Sequence, residues 1–133
     1  MQIIEIEGIG PKNTALLKAL NIHTVQDLLE QGSTAKQRSA LEKKSGISGK
    51  KLLRWIGMAD LIRVSGVGKQ FAELLKASGV DTVKELSQRN ALNLHTKIIA
   101  VNEVQKLSRT VPAYVQLKLW IDEAKQCAST IKY

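Results

Sequence analysis

Residues 6–28 read IEGIGPKNTALLKALNIHTVQDL, and residues 64–86 read VSGVGKQFAELLKASGVDTVKEL. The second stretch starts 58 residues after the first, and nine of the 23 aligned positions are identical. Average composition would give roughly one or two. Four further pairs are conservative: Ile6/Val64, Ile9/Val67, Ile22/Val80 and Asp27/Glu85. Self-similarity at a fixed period marks a duplicated supersecondary unit. The match resumes after a seven-residue insertion in the second copy, where KLLRWIGMA (51–59) aligns with QLKLWIDEA (116–124) and sets Trp55 against Trp120.

The matched positions have physical jobs. Leu16, Leu17 and Leu20 fall on one face of a short helix, as do Phe71, Leu74 and Leu75 in the second copy. Asn21 and Gly79 follow those helices, and both residue types tolerate the left-handed backbone of a C′ position. Ile22 and Val80 then fall at C″, where a Schellman motif packs them on Leu17 and Leu75. Thr24-x-x-Asp27 and Thr82-x-x-Glu85 each read as an N-cap with a carboxylate in the first helical turn.

Working outward, residues 35–44 read as a helix after the punctuation Gly32-Ser33-Thr34. Gly46-Ile47-Ser48 turns the chain into another over 49–61. Asn90 or Asn93 is the expected cap of a helix reaching about residue 102. Pro112, placed at N1, is expected to start a final helix toward Ala128. No segment alternates like a strand. The expectation is an all-α fold of two tandem units, 1–61 and 62–133, packed into one compact globule. Residues 58–63 then form a continuous helical join.

Composition narrows the function classes. The 133 residues are 44% hydrophobic, ordinary for a globular protein, and no apolar run approaches a membrane-spanning length. Residues 1–5 carry no signal-peptide pattern, and a lone cysteine, Cys127, suits a reducing compartment. A cytoplasmic protein is expected, with no membrane partner. The net charge of +8 is spread, with +3 on residues 1–61 and +5 on residues 62–133. Such a surface favours polyanions, although solubility alone also produces charges of this size.

Gly8-Ile9-Gly10 and Gly66-Val67-Gly68 are where chemistry can enter. Two glycines let the backbone turn tightly and leave no Cβ to block a close approach. The turn feeds a helix N-terminus whose first N–H groups lack internal partners and carry partial positive charge. Lys12 and Lys69 add full charges. Residues 6–12 with Ala15, Leu16 and Leu17, and residues 64–69 with Ala72, Leu74 and Leu75, resemble the helix-hairpin-helix motif of SAM-like helical folds. The whole chain is similar to an uncharacterised bacterial domain family built from two such units. The resemblance implies contact with the DNA backbone without reading of sequence, in a cytoplasmic or nucleoid-associated protein. Carried over by position, the candidates are Gly8, Ile9, Gly10 and Lys12, then Gly66, Val67, Gly68 and Lys69.

A third candidate, Gly46-Ile47-Ser48-Gly49-Lys50-Lys51 with Arg54, has the densest charge and a looser pattern. Its counterpart, Thr110-Val111-Pro112, has neither glycine nor lysine in the turn, which argues against phosphate contact there, although Arg109 lies close. Glu7 adds negative charge at the first hairpin. The competing reading is structural: such turns also join short helices steeply, with Ile9 or Val67 plugging the core. On that reading the chain is a protein-interaction adaptor meeting an acidic partner.

Other signals are weaker. Trp55 and Trp120 read as core, and five aromatics are too few for a stacking platform. His23 and His95 lack partners at ligand spacing, so no metal is expected. Gly66-Val67-Gly68 lacks the strand and third glycine of a dinucleotide fingerprint, so no cofactor is expected. No nucleophile and base, and no carboxylate pair, come together, so no enzyme is expected.

Overall fold

Local chemistry sets where each helix starts and stops. The computed structural model describes residues 1–127 and 129–133. Among these the fold is all-α: eight helices, a short 3-10 turn at Ile3–Glu5 and one isolated bridge between Gln2 and Thr24. Contacts divide the chain into two units, Met1–Asp60 with Thr130–Tyr133, and Leu61–Ser129.

The first unit holds α1 (Gly10–Lys18), α2 (Val25–Gly32), α3 (Ala35–Ser45) and most of α4 (Gly49–Ile62), inside which the boundary falls. The second holds α5 (Lys69–Ala77), α6 (Val83–Ser87), α7 (Ala91–Gln105) and α8 (Tyr114–Gln126).

Between α1 and α2, Asn21 takes a positive φ of 64°, and the Ile22 N–H donates to Leu17 O at 3.0 Å. The Asn21 N–H donates to Lys18 O at 3.0 Å, completing a Schellman motif. Between α5 and α6 the same bonds recur 58 residues on, Val80 N–H to Leu75 O at 2.9 Å and Gly79 N–H to Lys76 O at 3.0 Å. Each following helix is then capped by threonine. Thr24 Oγ1 accepts from the Asp27 N–H at 3.0 Å, and Thr82 Oγ1 accepts from the Glu85 N–H at 3.1 Å. Asp27 closes its box by accepting from both the His23 and Thr24 N–H groups.

The apolar residues that flank these turns form each core. Ile6, Ile9, Leu17, Ile22 and Leu28 are buried in the first unit, and Val64, Val67, Leu75, Val80 and Leu86 in the second. Trp55 is buried with the first set and Trp120 with the second. Trp120 stacks obliquely on Phe71, with centroids 5.3 Å apart. A side chain at Gly32 would collide with Ile56, so α2 and α4 approach closely there.

The structure adds one feature to the sequence reading and corrects another. Residues before the first hairpin are ordered, because the Ile3 N–H donates to His23 O at 3.1 Å and the Val25 N–H to Met1 O at 3.0 Å. Helix α8 starts at Tyr114 with Ala113 as N-cap, so Pro112 lies before the cap rather than at N1. The carbonyl of Pro112 is instead engaged by His95. The expected end of that helix at Ala128 lies outside the described residues.

Arg38 on α3 is 6% exposed, and burial pushes its guanidinium below the usual arginine value. It donates to the α2 C-terminal carbonyls of Gly32 (2.9 Å) and Ser33 (3.0 Å), and to Lys132 O at 2.6 Å. A cation at a helix C-terminus satisfies both the dipole and the orphan carbonyls. The Lys132 N–H donates to Ser33 O at 2.7 Å, and Ile131 is buried beside it. No helix among the described residues is long and apolar enough to cross a membrane.

Candidate nucleic-acid interface

Both glycine hairpins are built by the same backbone bonds. In the first, the Ile6 N–H donates to Ile3 O (3.0 Å) and the Ile9 N–H to Ile6 O (3.3 Å). In the second, the Val64 N–H donates to Leu61 O (3.1 Å) and the Val67 N–H to Val64 O (3.0 Å). Gly8 and Gly66 each stand at positive φ, 86° and 89°, a conformation that favours glycine. The central residues plug the cores: Ile9 is 1% and Val67 4% exposed. Their N–H groups are spent inside the turns, so neither residue offers a donor to a ligand.

The glycines and lysines face outward. Gly8, Gly10, Lys12, Gly66, Gly68 and Lys69 are all exposed. A Cβ added at Gly8, Gly10 or Gly68 would meet nothing within 4 Å. Neither hairpin helix has a side-chain cap: α1 begins after Ile9 and α5 after Gly68. Threonine or asparagine caps α2, α3, α6 and α7, through Thr24, Thr34, Thr82 and Asn90. The first N–H groups of the hairpin helices thus stay open to a ligand.

The two mouths differ beyond the backbone. In α1 the second residue is Pro11, which has no N–H to give. Asn13 and Thr14 fold back onto Ile9 O and Gly10 O at 2.9 and 2.7 Å. In α5 the first residue is Lys69, so charge and open N–H groups coincide. Glu123 of α8 clamps the second hairpin, accepting from the Ser65 N–H at 2.8 Å and the Ser65 hydroxyl at 2.9 Å. Trp120 Nε1 lies 3.2 Å from where a Gly66 Cβ would be, so helix α8 supports this turn directly.

A cleft of about 380 Å³ opens at the second mouth, lined by Gly66, Gly68, Lys69, Gln70, Phe71, Ser108, Arg109 and Thr110. Two cationic residues from separate segments line it together with two hydroxyl residues and two glycines. Sequence reasoning set the Thr110-Val111-Pro112 turn aside because it lacked glycine and lysine. Chain folding, which no local motif encodes, brings its neighbours to the hairpin.

The third candidate is more closed. Lys50, Lys51 and Arg54 are exposed on the first turns of α4. The Gly49 N–H donates to the Glu42 carboxylate at 2.9 Å, and the Lys51 N–H to Ser48 Oγ at 3.3 Å. An internal carboxylate therefore already occupies the start of this helix. Among the described residues, no group of three or more His, Cys, Asp or Glu side chains is placed to hold a metal ion.

Residues 7–127 match the family model described as Domain of unknown function (DUF4332). No curated protein and no solved structure matches the chain.

Proposed function

The chain belongs to the DUF4332 family, and from the geometry of its hairpins we propose that it is a non-enzymatic protein that binds nucleic acid through the phosphate backbone, without reading sequence. The two hairpins act as helix-hairpin-helix units in tandem, in a cytoplasmic protein. The observation that carries this reading is the cleft at the second hairpin, where Lys69 and Arg109 flank exposed glycine backbone. Open N–H groups and fixed cations are what a phosphodiester oxygen needs, and none of them distinguishes one base from another. The net charge of +8 supports it by favouring approach of a polyanion.

The test is a titration of labelled duplex and single-stranded DNA at two salt concentrations, with two unrelated sequences. Binding should fall steeply with salt and hardly differ between sequences. A variant carrying Lys12→Glu and Lys69→Glu should lose most of it. Failure of the wild type to bind at low salt ends the proposal. A double variant that binds as well as wild type removes the hairpins from the site.

A second reading, a protein-interaction adaptor, is favoured by exposed apolar side chains on the second unit. Leu92 and Ile99 lie two turns apart on α7, and Val115 and Leu119 one turn apart on α8. It predicts a stoichiometric complex with one protein that Leu92→Ser and Leu119→Ser abolish, with only weak affinity for DNA.

A further inference from the structure

Resting on the nucleic-acid reading, we propose that the α7–α8 loop is the second wall of the phosphate site: Arg109 contacts the phosphodiester opposite Lys69, and Asn102 is the residue that positions it. The loop has no glycine-rich signature of its own. Its capacity to act comes from how it is held.

Helix α7 ends with Lys106 at a positive φ of 52°, its N–H donating to Asn102 O at 2.8 Å. The Asn102 side chain then grips the loop twice. Its Nδ2 donates to Ser108 O at 3.0 Å, and its Oδ1 accepts from the Ser108 N–H at 3.0 Å. One amide thus satisfies both backbone groups of the residue immediately before Arg109. At the far end His95 Nε2 lies 3.0 Å from Pro112 O, a carbonyl that can only accept, so the nitrogen carries the proton. The ring of His95 also meets Tyr114 edge-on, with centroids 6.0 Å apart.

Only Arg109, Thr110 and Val111 lie between the two anchors. So short a span keeps the Arg109 backbone at the cleft rim and limits the freedom lost when its side chain meets a phosphate. Guanidinium also suits the ligand, since its planar fork can take two phosphate oxygens while Lys69 supplies a point charge. The ligand class is a phosphodiester in the cleft between the hairpin and this loop. Because Arg109 is exposed and Asn102 points its amide at backbone, neither is expected to read a base.

Fluorescence anisotropy with a labelled 20-base-pair duplex tests this in the full-length chain, using Arg109→Ala, Asn102→Ala, the double variant, and Lys69→Glu as reference. Arg109→Ala should weaken binding about fivefold and lower the slope of log affinity against log salt by about one. Asn102→Ala, which changes no charge, should produce a similar loss. The double variant should be no weaker than either single one, because Asn102 acts only through Arg109. If the two losses add, Asn102 is a structural residue and its positioning role is overturned. If Lys69→Glu impairs binding while Arg109→Ala does not, the second wall is refuted and the hairpin reading stands. If wild type does not bind the duplex, the reading on which the inference rests falls with it.

Discussion

The first and second glycine hairpins share their turn bonds and then diverge, in backbone from the second glycine on (Gly10 at φ 70°, Gly68 at −90°) and in what they present at the mouth. The same turn bonds and the same positive φ recur 58 residues apart, at Gly8 and at Gly66. Around them, Glu7 is replaced by Ser65, Pro11 by Lys69 and Asn13 by Phe71. On the closing helices Met58, buried in the first unit, aligns with Glu123, which clamps Ser65 in the second. Glu7 in the second setting would face another carboxylate, so these exchanges make sense as pairs. The turn is a device for joining helices, and its rim sets the charge and the hydrogen-bonding groups presented there.

Stability should expose the different support first. Gly66→Ala forces a left-handed alanine and also pushes a Cβ toward Trp120, so it should cost about 2–3 kcal/mol. Gly8→Ala meets the backbone penalty alone, with open space beyond, and should cost about 1 kcal/mol. Urea denaturation of both variants measures the gap. Equal losses would mean that α8 does not brace the second turn.

Binding should separate the mouths next. Lys69→Glu should weaken duplex affinity on the order of tenfold, and Lys12→Glu only about two- to threefold. In the second hairpin charge and open N–H groups share one spot, whereas Pro11 removes a donor from the first. Anisotropy titrations of the two single variants at one salt concentration decide it. Equal losses would make the mouths equivalent.

The smallest effects should show where the halves stay alike. Thr24→Ala and Thr82→Ala each remove an N-cap and should cost about 1 kcal/mol apiece. Their pH behaviour sharpens the point. Backbone N–H bonds from His23, then Thr24, hold the Asp27 carboxyl below its usual value. Asp27 therefore gives up its proton more readily folded than unfolded. Its contribution is present above the unfolded value of about 3.9 and fades as pH falls through the folded one. Asp27→Asn should accordingly lower the melting temperature at pH 7, with the difference shrinking in strong acid.

Helix ends were the legible part of this chain, because they are written in neighbouring residues. Thr24 with Asp27, Thr82 with Glu85, and Asn21 and Gly79 before their apolar partners each name a local bond, and those bonds form. Asn90 and Asn93 were both readable as the α7 cap, and Asn90 is the one that accepts the bond. Contacts made by folding were not legible. Nothing near Arg38 in sequence announces that it will meet a carbonyl from Lys132, and nothing near Glu42 announces that it will cap Gly49. The cleft at the second hairpin shows the same divide. Lys69 is legible from its motif as a residue of the hairpin mouth, whereas Arg109 lines the same cleft only because α7 and the loop after it return to the hairpin.

The most direct measurement is a backbone amide NMR titration of the full chain with a short DNA duplex. The resonances of residues 66–71 and of Arg109 should shift together and saturate, while those of residues 8–12 move little. Shifts centred on residues 8–12, or confined to helices away from both hairpins, would contradict the account.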